Sequence, residues 1–147
     1  MQGFDYSEPR CYFVTICTLH QRNVFIDSPL NRALLTLLVN HARRERVMLH
    51  AYCLMPDHIH LLAEMPGDGL SLTDWVGRFK GLSTRLAWRT GLPGKLWQGR
   101  FYDHVLRREE SIERVAEYIV HNQVRKGMVE TWEEYRWSSL GIPDPNL

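Results

Sequence analysis

Two runs of eight residues, Met48–Met55 (MLHAYCLM) and His58–Met65 (HIHLLAEM), are separated only by Pro56-Asp57. Two strand-like runs with a two-residue turn between them pair antiparallel as a hairpin. Side chains alternate along a strand, so His58, His60, Leu62 and Glu64 share one face. Ile59, Leu61 and Ala63 point the other way, into a core. The hairpin therefore sets two imidazoles side by side, about 7 Å apart along one face.

The other elements arrange themselves around this hairpin. Tyr12–Leu19 (YFVTICTL) is aromatic and β-branched and reads as a strand. Ser28-Pro29 opens a helix with an apolar stripe of Leu30, Ala33, Leu34, Leu37 and Leu38, running to about Arg46. Ser71 and Asp74 read as a capping box before a second helix, with Leu72, Trp75, Phe79, Leu82 and Leu86 on its buried face and Gly91 and Pro93 closing it. A strand is expected near Phe101–Arg107. A last helix runs from a Ser111 cap to Gly127, with Glu113 in its first turn and Arg125 and Lys126 in its last, as the helix dipole favours. The order strand, helix, strand, strand, helix, strand, helix implies an α+β fold with a mostly antiparallel sheet.

At 147 residues the chain has the length of one domain, taken here as 1–147. Its 44% hydrophobic and 24% charged residues fit a globular protein and exclude disordered and collagen-like classes. No run of 18 apolar residues is present, so no membrane span or membrane partner is expected. The N-terminal sequence lacks the layout of a signal peptide, and a cytoplasmic location is expected. Cys11, Cys17 and Cys53 form no C-x-x-C pair and read as small buried hydrophobes rather than a disulfide framework. The net charge is only +1, but Trp75–Arg108 carries eight basic residues against Asp103, a local charge of +7. Fifteen of the 18 basic residues are arginine, the side chain suited to paired phosphate contacts. Such a belt fits a polyanion partner, or equally a solvated helix face.

A His-x-His pair on a strand can grip one metal ion, or can be a pair of satisfied polar residues. Imidazole favours zinc, iron, nickel and copper; a magnesium or manganese site needs oxygen ligands from elsewhere. The last helix offers one. At 100° per residue, Arg114, Tyr118, Asn122 and Arg125 fall in one arc, opposite the apolar stripe Ile112, Val115, Ala116, Ile119 and Val120. That arc presents a phenol that can serve as a covalent nucleophile and an amide oxygen that can serve as a third ligand.

Taken together, AYCLMPDHIHLL (Ala51–Leu62), LWQGRFYDHVL (Leu96–Leu106), EYIVHNQVRKGMV (Glu117–Val129) and YRWSSL (Tyr135–Leu140) resemble the REP-associated tyrosine transposases. These are relatives of the single-tyrosine HUH transposases, in which HUH denotes His, hydrophobic residue, His. The likeness runs from YFVTICT to WSSL, nearly the whole chain. It implies a ferredoxin-like antiparallel sheet packed by helices, with the HUH pair on a central strand and the tyrosine on a neighbouring helix. It implies His58, His60 and Asn122 as ligands of Mg²⁺ or Mn²⁺, and Tyr118 as the nucleophile. The implied substrate is single-stranded DNA of repetitive extragenic palindromes (REP), which fold into hairpins. It is cleaved and rejoined through a 5′-phosphotyrosine by a monomer or homodimer. Arg100, Arg107, Arg108, Arg114 and Arg125 are candidate phosphate contacts. Trp97, Phe101 and Tyr102 are candidates for stacking on unpaired bases or for the core. His104 and His121 are candidate proton acceptors for the phenol.

Two positions depart from the family pattern. Gln123 stands where the family has proline, so the last helix is expected to continue through it. Asp57 stands where the family often has asparagine and is expected only to hold the turn. Two rival functions remain at this level. One is a metal hydrolase with Tyr118 as a bystander, which would want more carboxylates than Asp57 and Glu64. The other is a domesticated hairpin-binding protein that does not transpose.

Overall fold

The computed structural model describes residues 10–26, 28–107 and 110–140. Its centre is the hairpin. β2 (Met48–Met55) and β3 (His58–Met65) pair antiparallel around Pro56-Asp57, with Met55 opposite His58 and Cys53 opposite His60. β1 (Arg10–Cys17) lies along the free edge of β3, Thr15 opposite His60. It begins two residues before the expected strand and ends two before it, because Thr18 turns away to bridge Trp97. β4 (Tyr102–Val105) pairs with β1, and β5 (Ser138–Leu140) with β2, giving the antiparallel order β4-β1-β3-β2-β5. The α+β class and the antiparallel sheet expected from the sequence are thus present, with β3 in the middle. β5 was not anticipated; three residues are too short to show alternation.

Alternation splits the sheet's side chains between two layers. Val14, Ile16, Leu49, Tyr52, Leu54, Ile59, Leu61 and Ala63 face α1 (Pro29–Arg44) and α2 (Leu72–Arg89), whose Leu34, Leu35, Leu38, Trp75, Val76 and Phe79 complete the main core. Ser71 caps α2 by accepting from the Asp74 backbone N–H, as expected. Trp97 belongs to this core: it packs against Phe25 and Phe79, and its indole N–H donates to Ser83. That removes it from the candidates for base stacking.

The other face carries Ala51, Cys53, Met55 and Leu62 under α3 (Ile112–Val120), which lays Ala116, Ile119 and Val120 on them. The expected single last helix is broken. α3 stops at Val120, His121 takes ψ near 4°, and a four-residue α4 (Asn122–Arg125) follows. The break occurs without proline. Gln123 is completely buried, and its side chain accepts from the Cys53 thiol (3.2 Å) and donates to the Trp132 carbonyl (3.3 Å). Pulling that amide into the core reorients the chain where a proline would have bent it. Gly127, at φ +72°, then ends α4. All three cysteines are free thiols; burial pushes Cys11 and Cys53 up to about 12. Among the described residues no helix is long and apolar enough to cross a membrane.

Candidate active site

The site begins with the alternation of β3. His58 and His60 project from the α3 face, and their Nε2 atoms stand 3.2 Å apart. Each ring is held from behind. His58 Nδ1 lies 2.6 Å from the Asp57 carboxylate, which can only accept, so this nitrogen carries the proton. In neutral His58 that leaves Nε2 as a lone pair aimed at His60. His60 Nδ1 lies 2.8 Å from the Thr15 hydroxyl, the residue opposite it on β1. A hydroxyl both donates and accepts, so Thr15 serves either tautomer of His60. Burial, then the neighbouring His58, Arg125 and Lys126, push His60 down to about 3, so it stays neutral and keeps a lone pair to give.

Two nitrogens so placed are spaced to take one metal ion between them. Two ligands about 2.1 Å from one ion and at right angles to each other lie about 3 Å apart, so the spacing fits. Carboxylate or hydroxyl partners behind metal-binding imidazoles are the usual outer support of such sites. Asp57 therefore does more than hold the turn: the carboxylate in the family's asparagine position orients His58. Thr15 was missed from the sequence. The pairing of β1 with β3 brings it to the histidines, and nothing local announces that register.

Tyr118 stands on the last turn of α3, 55% exposed. Phe13 joins it to the histidines, with ring centroids 5.4 Å from His60 and 6.2 Å from Tyr118. Asn122, one residue past the break, is buried; its Oδ1 accepts from Arg125 (3.4 Å), and its Nδ2 has no hydrogen-bond partner. The expected arc of Arg114, Tyr118, Asn122 and Arg125 is thus only partly realised, since the break turns Asn122 inward. Among the described residues no three His, Cys, Asp or Glu side chains group together as they would around a metal ion.

The remaining candidates separate. Arg100 and Arg107, on either side of β4, and Arg114, in the first turn of α3, are exposed. Arg108 lies outside the described residues. Arg125 folds back over Tyr118 instead of reaching outward. Tyr102 is exposed and Phe101 packs against the main core. His121 Nδ1 lies 2.7 Å from the Glu117 carbonyl of its own helix, and His104 meets both Glu110 carboxylate oxygens at 3.1 Å. The +7 stretch is not one patch. Lys80, Arg85, Trp88 and Lys95 line a groove along α2, on the opposite side of the sheet from the histidines, and Arg78 is paired with Glu45.

The sheet carries its His-x-His pair on the central strand and a tyrosine on a covering helix, the arrangement that the resemblance to HUH transposases implies. The sequence matches the family described as IS200-like transposase over residues 8–123, and the chain belongs to that family. Within it, the likeness to REP-associated tyrosine transposases read from the motifs holds. A Haemophilus influenzae protein provisionally given that name is 26% identical over 92% of this chain and 82% of its own. The REP-associated tyrosine transposase of Escherichia coli K12 is 26% identical over 63% of this chain and 53% of its own. A REP-associated tyrosine transposase solved bound to a REP hairpin shares the fold with a TM-score of 0.73, at 19% identity, covering 88% of this chain and 75% of that one.

Proposed function

We propose that this transposase cleaves and rejoins single-stranded DNA at palindromic hairpin repeats through a 5′-phosphotyrosine on Tyr118, with a divalent ion held by His58, His60 and Asn122. The observation that carries the reading is the convergence of the two Nε2 atoms, 3.2 Å apart, one aromatic ring away from Tyr118. The ion, Mg²⁺ or Mn²⁺, supplies charge that polarises a phosphate oxygen of the scissile bond. The two nitrogen donors suit Mn²⁺ better than Mg²⁺. Asn122 gives an uncharged oxygen, and its orphaned Nδ2 supports a side chain that gains a further partner in the working state.

Tyr118 Oη attacks phosphorus in line. The O–P bond to the phenol forms as the P–O3′ bond breaks, the phenol proton leaves, and the departing oxygen becomes a 3′-hydroxyl. The ester preserves the bond energy, so a second 3′-hydroxyl can displace the tyrosine and rejoin strands without ATP. Arg100, Arg107 and Arg114 are exposed and available to backbone phosphates, and the relative solved with a REP hairpin supports the hairpin as partner.

The test is covalent trapping. Wild-type protein incubated with Mn²⁺ and end-labelled hairpin DNA is expected to retain the 3′ product fragment, which carries the 5′-phosphate, and peptide mapping is expected to find it on Tyr118. Tyr118→Phe is expected to bind the hairpin within about twofold of wild type and to form no adduct, because it loses one oxygen and keeps its ring. An adduct on another residue, or full cleavage in excess chelator, would sink the proposal. Tight hairpin binding with no adduct in the wild type would leave a binding protein in its place.

A further inference from the structure

Arg125 looks like a phosphate contact in the sequence, yet the structure folds it back over Tyr118 at the surface. One guanidinium nitrogen donates to the Tyr118 carbonyl at 2.8 Å and another to Asn122 Oδ1 at 3.4 Å. Its Cζ lies 3.8 Å from the centroid of the Tyr118 ring. A guanidinium carries its donors in one plane, so it can bond two acceptors at its rim while its flat face stacks. The carbonyl it meets belongs to the last turn of α3, where the break at His121 ends the helix and its carbonyls lose their onward partners.

We infer that Arg125 is a positioning residue for the nucleophile: one planar group caps the backbone of Tyr118, covers its ring and orients the side chain of Asn122. This rests on the reading of Tyr118 as the nucleophile. The geometry explains why such a residue is needed. A tyrosine 55% exposed at a helix end has more than one staggered rotamer open to it unless a neighbour holds the ring, and only some of these suit an in-line approach. Phe13 flanks the ring with its centroid 6.2 Å away, and Arg125 lies over the ring face with Cζ 3.8 Å from the centroid. The same group reaches Asn122, so the positions of phenol and amide are set relative to one another across the helix break.

Arg125→Lys and Arg125→Met separate this role from the alternatives. The measurement is single-turnover adduct formation on a labelled REP-type hairpin with a single-stranded flank, over a range of DNA and salt concentrations. Positioning predicts a rate at saturating DNA lowered about 10–100-fold in both variants, since small misplacements of a reacting group have effects of that order. The hairpin dissociation constant and its salt slope stay at wild-type values. Lysine keeps the charge and gives no rescue, because it lacks the flat two-donor fork. Weaker binding with a salt slope smaller by about one, and a saturating rate restored in Arg125→Lys, would make Arg125 a phosphate contact and overturn the inference. A lower melting temperature with an unchanged saturating rate would overturn it too, as a purely structural role. If Arg125→Met does not fold, Arg125→Lys carries the test alone. A wild type that forms no adduct removes Tyr118 as the nucleophile, an outcome distinct from the other two.

Discussion

The two faces of the sheet are made by the same strands and differ in almost everything else. Under α1 and α2 the described residues form a cluster of 22 buried apolar side chains, with Trp75, Phe79 and Trp97 among them. Under α3 the cluster has seven, mostly small, and it gives way to His58, His60, Thr15 and the exposed ring of Tyr118. Burial of large apolar side chains is the main source of folding free energy, so stability is concentrated on the first face. The second face is left free to hold polar groups in arrangements that packing alone would not choose. Successive residues of β3 serve the two purposes in turn: His58 and His60 for one, Ile59 and Leu61 for the other.

The largest effect that could break this division is on stability. Phe79→Ala is expected to cost about 3–5 kcal/mol by denaturant unfolding. Tyr118→Phe, at an exposed ring on the other face, is expected to stay within about 0.5 kcal/mol. Comparable losses would mean that the faces do not divide the labour. Next comes the support behind the histidines. Thr15→Val keeps shape but leaves His60 Nδ1 without its hydroxyl, and Mn²⁺ affinity measured by titration is expected to fall about 10–100-fold. Unchanged affinity would make Thr15 a packing residue. The last test leaves stability and metal affinity untouched and sharpens how closely α3 and α4 cover their face. With its thiol held near pH 12 by burial and engaged with Gln123, Cys53 is expected to alkylate roughly 10³-fold more slowly at pH 8 than an ordinary exposed cysteine. Fast labelling of Cys53 would show that the two helices lift readily.

Which parts were legible in the sequence follows from the range of each interaction. The hairpin, its boundaries and the faces of its side chains are local consequences of alternation and a two-residue turn, and they stand as read. The ends of β1 and the three-residue β5 depend on partners distant in the chain: Thr18 leaves its strand for Trp97, and Ser138–Leu140 form a strand only because β2 offers an edge. The helix break was hidden because Gln123 is a good helix former whose side chain is claimed by Cys53, Trp132 and Ser138. Among the site candidates, the motif brought His58, His60 and Tyr118 to one face. The tasks of Thr15, Asp57 and Arg125 are contacts of side chains, and periodicity carries no record of them.

The turn at Pro56-Asp57 has a consequence for how this chain can vary. Its carbonyls accept from the backbone of Thr18, Val24 and Phe25, so the turn is anchored to the segment that follows β1. Strand side chains have a parity of two, and a single-residue insertion or deletion next to His58 that slips the register of β3 would invert that parity downstream. Both imidazoles would then be driven into the layer now filled by Ile59 and Leu61, and those aliphatic chains would be turned out beside Tyr118. Point substitutions at the turn leave that parity intact; a slip of register changes it for every residue that follows. Natural and engineered variants of this chain are therefore expected to keep the spacing from Met55 to His58 fixed, even where the residues between them change.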